Sequence, residues 1–452
     1  MGAEQQVVYG VTEAAAERPG KPTDASAPLQ LTTERLRVWG ARAVFSLLDQ
    51  GLFSGAGFLV NLLLARWLAP ASYGAFAVAF AAFLFISGFH NVLLLEPLTV
   101  MGPGRHSENL PAYFRAQLRI HFILVGGLAL AGLLGGVVIW LVKPDSPLVG
   151  AIFGTALMLP LLLLLWLVRR MCYALHRPGL AVGGTGSYLV CIIAGLTALR
   201  HFGWATPFLS FLLMGGASLV ASGILLARIG FFRGAKKPGD ISWRAVLREN
   251  WTYGRWLVGS AVLYSLSSQV QIFFVSALLG LGAGGVLRAM QLPSLLMTQI
   301  ITATGLLFLP ILSRDFGNGL ILRVRHKAAL LNTGLGVVAA VFAGALVLSS
   351  HWAEHLLFHG KYSDYSPLMP ILALVPVASA ASTGYSMALR ASGRPHFDLL
   401  SNIIAAPVSV LSAFLFVRWW GISGAAASMV LGFGVTSVVT IVCFRGSKWK
   451  DE

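Results

Sequence analysis

Runs of about twenty apolar residues recur along this chain, and they leave it few ways to fold. One reads HFILVGGLALAGLLGGVVIWLV (121–142), and the next contains MLPLLLLLWLV (158–168). Hydrocarbon offers no partner to a backbone amide. A spanning segment must therefore satisfy its own hydrogen bonds, as a helix of about 20 residues or as part of a closed barrel. Barrel strands are about ten residues long and alternate apolar with polar; these runs are longer and do not alternate. Only 11% of the residues are charged, where a soluble domain carries about 25%. The chain reads as an all-α polytopic membrane protein. Twelve spans are expected, near 43–65, 74–95, 119–142, 149–168, 180–199, 205–227, 256–279, 285–312, 328–350, 367–389, 397–417 and 421–443.

Turn residues mark the short links: LAPASYG after span 1, KPDSP after span 3, HRPG after span 4 and SGRP after span 10. Lys and Arg gather in every second link, the pattern that sets orientation in membranes. With the N-terminus placed in the cytoplasm, 25 of them flank the cytoplasmic side and 5 (Arg66, Lys143, Arg200, Lys361 and Arg418) the opposite side. Both termini are then expected to be cytoplasmic. The net charge of +16 follows from that topology, with attraction to anionic membrane lipids as a by-product, and implies no nucleic-acid partner.

Residues 1–30 are polar and lack an apolar core segment, so they read as a disordered cytoplasmic tail and not as a signal peptide. The longest basic link, 228–255, divides the chain into an N-terminal six-helix bundle (31–227) and a C-terminal one (256–443), with a short cytoplasmic tail at 444–452. A shift of 211 lays LARWLAPASYGAFA (64–77) on VSALLGLGAGGVLR (275–288), preserving Leu68/Leu279 and Gly74/Gly285. Both halves begin on the same side, so the repeats are parallel, about an axis along the membrane normal.

Polar residues fall on single helical faces at about 100° per residue. In span 1 they are Ser46, Asp49, Gln50, Ser54 and Asn61; in span 7, Ser260, Tyr264, Ser267, Ser268 and Gln271. In span 8 they are Arg288, Gln291, Thr298, Gln299 and Thr302, and span 2 adds Ser87, His90 and Asn91. Isolated serines and threonines serve as helix–helix glue. Stripes several turns long that hold amides and an ionisable group face a hydrated cavity. The candidate cavity residues are Arg288, Gln291, Gln299, Asn61, Gln50, Tyr264, Gln271, His90 and Asn91. Asp49, the acid deepest within a span, is a candidate for ion coupling, with Arg42 two turns away as its alternative, structural partner. Glu96 reads as an interfacial carboxylate paired with a loop arginine.

No enzyme constellation stands out. GGTGS (183–187) lies in an apolar span and not in a strand–loop–helix unit. His351, His355 and His359 have helical spacing beside Glu354, but the ligand set for a metal is incomplete. The three cysteines, Cys172, Cys191 and Cys443, have no disulfide or zinc spacing. No catalytic residue, metal or cofactor is expected.

Four stretches resemble the Wzx-type O-antigen flippases, the polysaccharide branch of the multidrug/oligosaccharidyl-lipid/polysaccharide exporter superfamily. They are LARWLAPASYGAFAVA, LLLEPLTVMGPGR, LLFHGKYSDYSPLMPILAL and ALRASGRPHFDLLSNI. The third departs from the usual Phe-Gly by its His-Gly. The resemblance implies two pseudo-symmetric six-helix bundles around a central, often cationic cavity, in the inner membrane of a bacterium. It also implies export of a lipid-linked oligosaccharide, commonly on undecaprenyl diphosphate, to the periplasmic leaflet for surface polysaccharide or exopolysaccharide synthesis. A polysaccharide polymerase and other assembly proteins would then be partners. Lipid II flippases of the same superfamily typically have fourteen helices. Three alternatives remain at this level: a small-molecule or multidrug exporter of the same superfamily, a membrane glycan polymerase or ligase, and a non-transporting assembly factor.

Overall fold

In a computed structural model, the apolar spans are long helices. The structure describes residues 33–231, 241–394, 396–447 and 449, with side chains from 44 onward except at 256 and 306. The expected N-terminal tail, the side chain of Arg42 and residues 232–240 of the basic link lie outside the described residues. Residues 45–452 form one unit.

In chain order the helices are α1 (Thr33–Trp67) and α2 (Pro70–His90), which runs through a π-turn (Asn91–Leu95) into α3 (Glu96–Arg105). Then come α4 (Leu110–Val142), α5 (Pro147–Ala174), α6 (Pro178–His201), α7 (Pro207–Arg228), α8 (Trp243–Leu278), α9 (Leu281–Gly317), α10 (Ile321–Phe358), α11 (Leu368–Ala391) and α12 (His396–Gly446). Proline stands at the start of α2, α5, α6 and α7, where its fixed φ suits a helix and its missing N–H costs nothing. The Ser146 and Thr206 hydroxyls accept hydrogen bonds from Leu148 N and Leu209 N, capping α5 and α7.

Among the described residues, eleven helices are long and apolar enough to cross a membrane. The last of them breaks at Gly421, whose φ of 60° and ψ of −135° suit glycine alone. Its legs, 396–420 and 422–446, correspond to spans 11 and 12, so twelve crossings follow. The main difference from the sequence lies at α8. It begins at Trp243, well before the apolar run near 256, because a helix stops where its hydrogen bonding fails and not where its hydropathy does.

Leu348 is 90% exposed, and Val341, Val142 and Leu141 are similarly bare. A water-soluble surface would not carry so many, but lipid chains cover them. The molecule is a polytopic membrane protein. Within lipid, packing and small polar contacts hold helices together. Thus Phe76 stacks on Phe211 at 4.8 Å, Ser382 meets Ser437 at 2.9 Å, and Ser401 meets Thr440 at 3.1 Å.

The first half packs through α4–α5, α5–α7 and α6–α7, the second through α10–α11, α9–α11 and α8–α12, and the two halves meet along α2–α9 and α2–α8. At the α2–α9 crossing, Gly74 lies against Gly285. A Cβ on Gly74 would overlap the Leu281 carbonyl and stand 2.9 Å from Gly285 N. These are the two glycines that the repeat superposes.

A second junction ties the C-terminal end of α1 to the α10–α11 link. Lys361 Nζ donates to the carbonyls of Ala65 at 2.8 Å and Leu68, and Tyr362 OH donates to Ala65 O at 3.1 Å. Arg66 donates to the Leu356 and Leu357 carbonyls. These cations meet carbonyls orphaned at helix ends. Burial pushes the Lys361 ammonium below its ordinary value.

Candidate substrate cavity

A cavity of about 690 Å³ lies between the halves. One face of α1 from Leu47 to Asn61 forms one wall, and α9 from Arg288 to Ala303 runs antiparallel to it. Phe80, Phe83 and Leu84 come from α2, Leu162, Leu165 and Trp166 from α5, and Tyr188, Met214 and Ser218 from α6 and α7. Exposure rises along the cavity: Asn61 and Leu292 are buried, whereas Gly51, Gln299 and Ile300 are exposed. The closed end therefore lies under the Gly74–Gly285 crossing and the Lys361 clamp, and the open end near Leu47 and Ala303.

Arg288 stands at the closed end. Its Nε donates to Asn61 Oδ1 at 3.5 Å and its Nη1 to Gln291 Oε1 at 3.4 Å, with the guanidinium 5.7 Å from the centre of the Phe80 ring. Asn61 also receives Tyr73 OH, at 3.5 Å. All of these partners are neutral, and all the hydrogen bonds are long. Arg288 is the only charged residue lining the cavity among the described residues. A guanidinium has five donors in a planar fork; here two are loosely used, which leaves capacity for a bidentate anion. Toward the mouth, Gln50 Nε2 donates to Ser54 Oγ at 3.4 Å, and Ser54 Oγ to Gln299 Oε1 at 3.1 Å. This hydrogen-bonded ladder joins the two helices.

The structure thus gathers Arg288, Asn61, Gln50 and Gln299 around one space, with Gln291 behind Arg288, turned to Met429 Sδ at 2.9 Å. It places the other candidates elsewhere. Gln271 is buried, bonded to the Ser267 carbonyl at 3.3 Å, and Tyr264 is exposed away from the lining. α8 contributes only Gln269 to the described lining; Ser267, Ser268 and Gln271 bond to carbonyls of their own helix instead. His90 turns to His121, and Asn91 donates to Glu96 at 3.0 Å.

Asp49 does not line the cavity either. It is fully buried, and three donors reach it: Arg169 Nη2 at 2.7 Å and Tyr173 OH at 2.6 Å on Oδ2, and Thr185 Oγ1 at 2.5 Å on Oδ1. The Phe53 ring lies 3.9 Å from the Arg169 guanidinium carbon. Sequence reading counted Arg169 among the cytoplasmic flank charges. Nothing local marks it as the partner of a residue 120 positions away.

The aromatic wall of Phe53, Phe58, Phe80, Phe83, Trp166 and Tyr188 was also missed. An aromatic residue in an apolar span looks the same whether it faces lipid or a cavity. Among the described residues no cluster of three or more metal-ligating side chains forms. His351 is instead bonded to Ser366, and Glu354 to Tyr362 N and Ser363.

No family model matches this sequence. An uncharacterized membrane protein of Methanocaldococcus jannaschii is 23% identical over 248 residues, which are 52% of this chain and 46% of that protein. The chain thus spans about half the length of the curated relative it matches. Among solved structures, the inward-facing form of a multidrug resistance MATE family transporter of the MOP superfamily superposes with a TM-score of 0.71. That match covers 89% of this chain and 97% of the other at 14% identity. The lipid II flippase MurJ in an inward closed conformation gives a TM-score of 0.72, covering 90% and 88% at 12% identity. The eukaryotic MATE transporter AtDTX14 gives 0.61, covering 92% and 97% at 16% identity. At these identities the likeness is one of fold: the chain is built as the MATE transporters and the flippase MurJ are built.

Proposed function

We propose that this chain is a flippase. It carries a lipid-linked oligosaccharide, on an undecaprenyl-diphosphate type of carrier, from the cytoplasmic to the periplasmic leaflet of a bacterial inner membrane. The work is alternating access: the two halves rock about the α2–α9 crossing and expose the cavity first to one side, then to the other. The observation that carries this reading is Arg288, a cation with neutral neighbours at the closed end of a cavity with apolar, aromatic walls. A diphosphate is a dense anion that a guanidinium binds bidentately. The phenyl and leucyl walls suit an isoprenoid or the apolar faces of sugar rings. The similarity to MurJ in fold supports the same reading.

A cavity of this volume is drug-sized, so a whole repeat unit would extend through the open end. That size and the aromatic wall favour a second reading, export of a small amphiphile. Among the described residues no acid lines the cavity, which favours an anionic or neutral amphiphile over an organic cation. Purified protein in vesicles distinguishes the two. A flippase exposes a fluorescent diphosphate-linked glycolipid to an impermeant quencher, whereas an exporter moves soluble dyes and leaves the glycolipid in place. On this reading both termini are cytoplasmic, which the distribution of Lys and Arg among the links supports.

A further inference from the structure

Beneath the cavity wall, His90 on α2 and His121 on α4 form a buried pair that the transport reading does not use. His90 is 3% and His121 0% exposed. His90 Nε2 lies 2.9 Å from His121 Nδ1, and His121 Nε2 lies 3.0 Å from the Pro160 carbonyl of α5. A carbonyl only accepts, so His121 carries its proton on Nε2 and accepts at Nδ1. His90 must then donate from Nε2. Its Nδ1 is left as a bare basic nitrogen, buried and without a partner.

The pair sits at a mechanical junction. His90 is the last residue before the π-turn Asn91–Leu95, where α2 passes into α3; such turns are departures from regular helix that recur at functional sites. α8, from the other half, crosses there. Gly254 lies so close that a Cβ would stand 2.9 Å from the Val92 carbonyl, and a Cβ on Gly88 would meet Ser265 Oγ at 3.3 Å. A proton added to His90 Nδ1 would have no acceptor in this packing, and a buried charge without a partner is expensive. Relief requires the π-turn or the α2–α8 contact to open.

We propose that His90 and His121 are a proton-binding dyad whose occupancy sets the geometry of the π-turn and hence how α2 and α3 meet α8. The dyad binds its proton whatever the cargo, so the inference stands apart from the transport reading. Other titratable groups nearby act elsewhere. Glu96, six residues along, is held by Asn91, and Arg170 of α5, Arg390 of α11 and Tyr253 of α8 act on Glu96. Among the described residues, His121 is the titratable group that meets His90, with ring centres 5.1 Å apart.

The test uses full-length protein in lipid nanodiscs, with Cys191 and Cys443 replaced by serine and spin labels at Val100 on α3 and Thr252 on α8. Distances are recorded between about pH 3 and pH 8, reaching below the ordinary imidazole range because a buried proton without a partner is disfavoured, and histidine nitrogen spectra are taken on the same samples. The expected result is a shift in the α3–α8 distance that tracks the protonation of one histidine pair. The shift should be lost in His90→Gln and in His121→Gln and kept in Glu96→Gln. A distance that does not change with pH in wild type overturns the proposal, as does a shift that survives His90→Gln or disappears in Glu96→Gln alone. The wild-type spectra decide even if a histidine variant fails to fold.

Discussion

Replacing Asp49 with Asn should be among the most destabilising single changes in the described structure. The side chain keeps its shape but loses its charge, while Arg169, 9% exposed at its side chain, stays where it is. The Phe53 ring beneath the guanidinium contributes in both forms and offsets nothing. The new amide must also present a donor to at least one of three groups that now donate to Asp49. Removing one partner of a buried ion pair costs about 3–5 kcal/mol, whereas replacing both by apolar residues is often neutral or stabilising by about 1–4 kcal/mol. Asp49→Asn should therefore lose about 3–5 kcal/mol, and Asp49→Leu with Arg169→Leu should recover most of it. Reversible unfolding in mixed micelles measures both. A loss below about 1 kcal/mol in the single variant, or a double variant as unstable as the single, would refute a structural pair. If Asp49 instead couples an ion to transport, Asp49→Asn keeps its stability and loses its dependence on the gradient.

Gly74→Val should fail to assemble, since its Cβ overlaps the backbone of α9; overpacking costs about 1–3 kcal/mol even where neighbours can shift, and backbone cannot. A normal melting profile in detergent would contradict this. Cysteines at Ser107 and Asp364 should react with an impermeant reagent from opposite sides of the membrane, and labelling of both from outside intact cells would refute the topology. Glu249 is pulled two ways: partial burial raises its pKa, but His106 at 3.0 Å and Arg105 at 2.9 Å outweigh burial and hold it below the usual range. Its contribution to stability should be full above the unfolded value of about 4.3 and be lost as pH falls through the lower folded value. Glu249→Gln should lower thermal stability above that range, match wild type below it, and so flatten the pH dependence in between.

How much of this was legible in the sequence depends on whether the signal was local. Apolar run length and prolines at helix starts gave the crossings, and the Gly421 break matches the expected gap between spans 11 and 12. Of the α9 stripe, Arg288 and Gln299 line the cavity, while Gln291 turns to Met429. Equal stripes misled in α8, where serines and Gln271 bond to their own helix, and in α2, where His90 faces α4. Periodicity shows that a face is polar without showing what it meets. The partners Asp49–Arg169 and Gln117–Asn250 (3.1 Å) are 120 and 133 positions apart, set by tertiary packing alone. The two glycines kept by the weak repeat were the exception, a long-range contact visible as an internal match.

Reconstituted transport with Arg288 variants tests the function most directly. Vesicles of phosphatidylethanolamine and phosphatidylglycerol would hold wild type, Arg288→Lys or Arg288→Ala at matched, folded amounts, with a fluorescent undecaprenyl-diphosphate glycolipid in one leaflet. Lysine keeps the charge but not the planar fork. Wild type should flip the lipid, Arg288→Lys should retain part of the rate, and Arg288→Ala should lose most of it, on the order of ten- to a hundredfold if one charged hydrogen bond of about 1.5–3 kcal/mol is removed. Arg288→Ala flipping at the wild-type rate, or no flipping by wild type, would contradict a flippase built around this arginine.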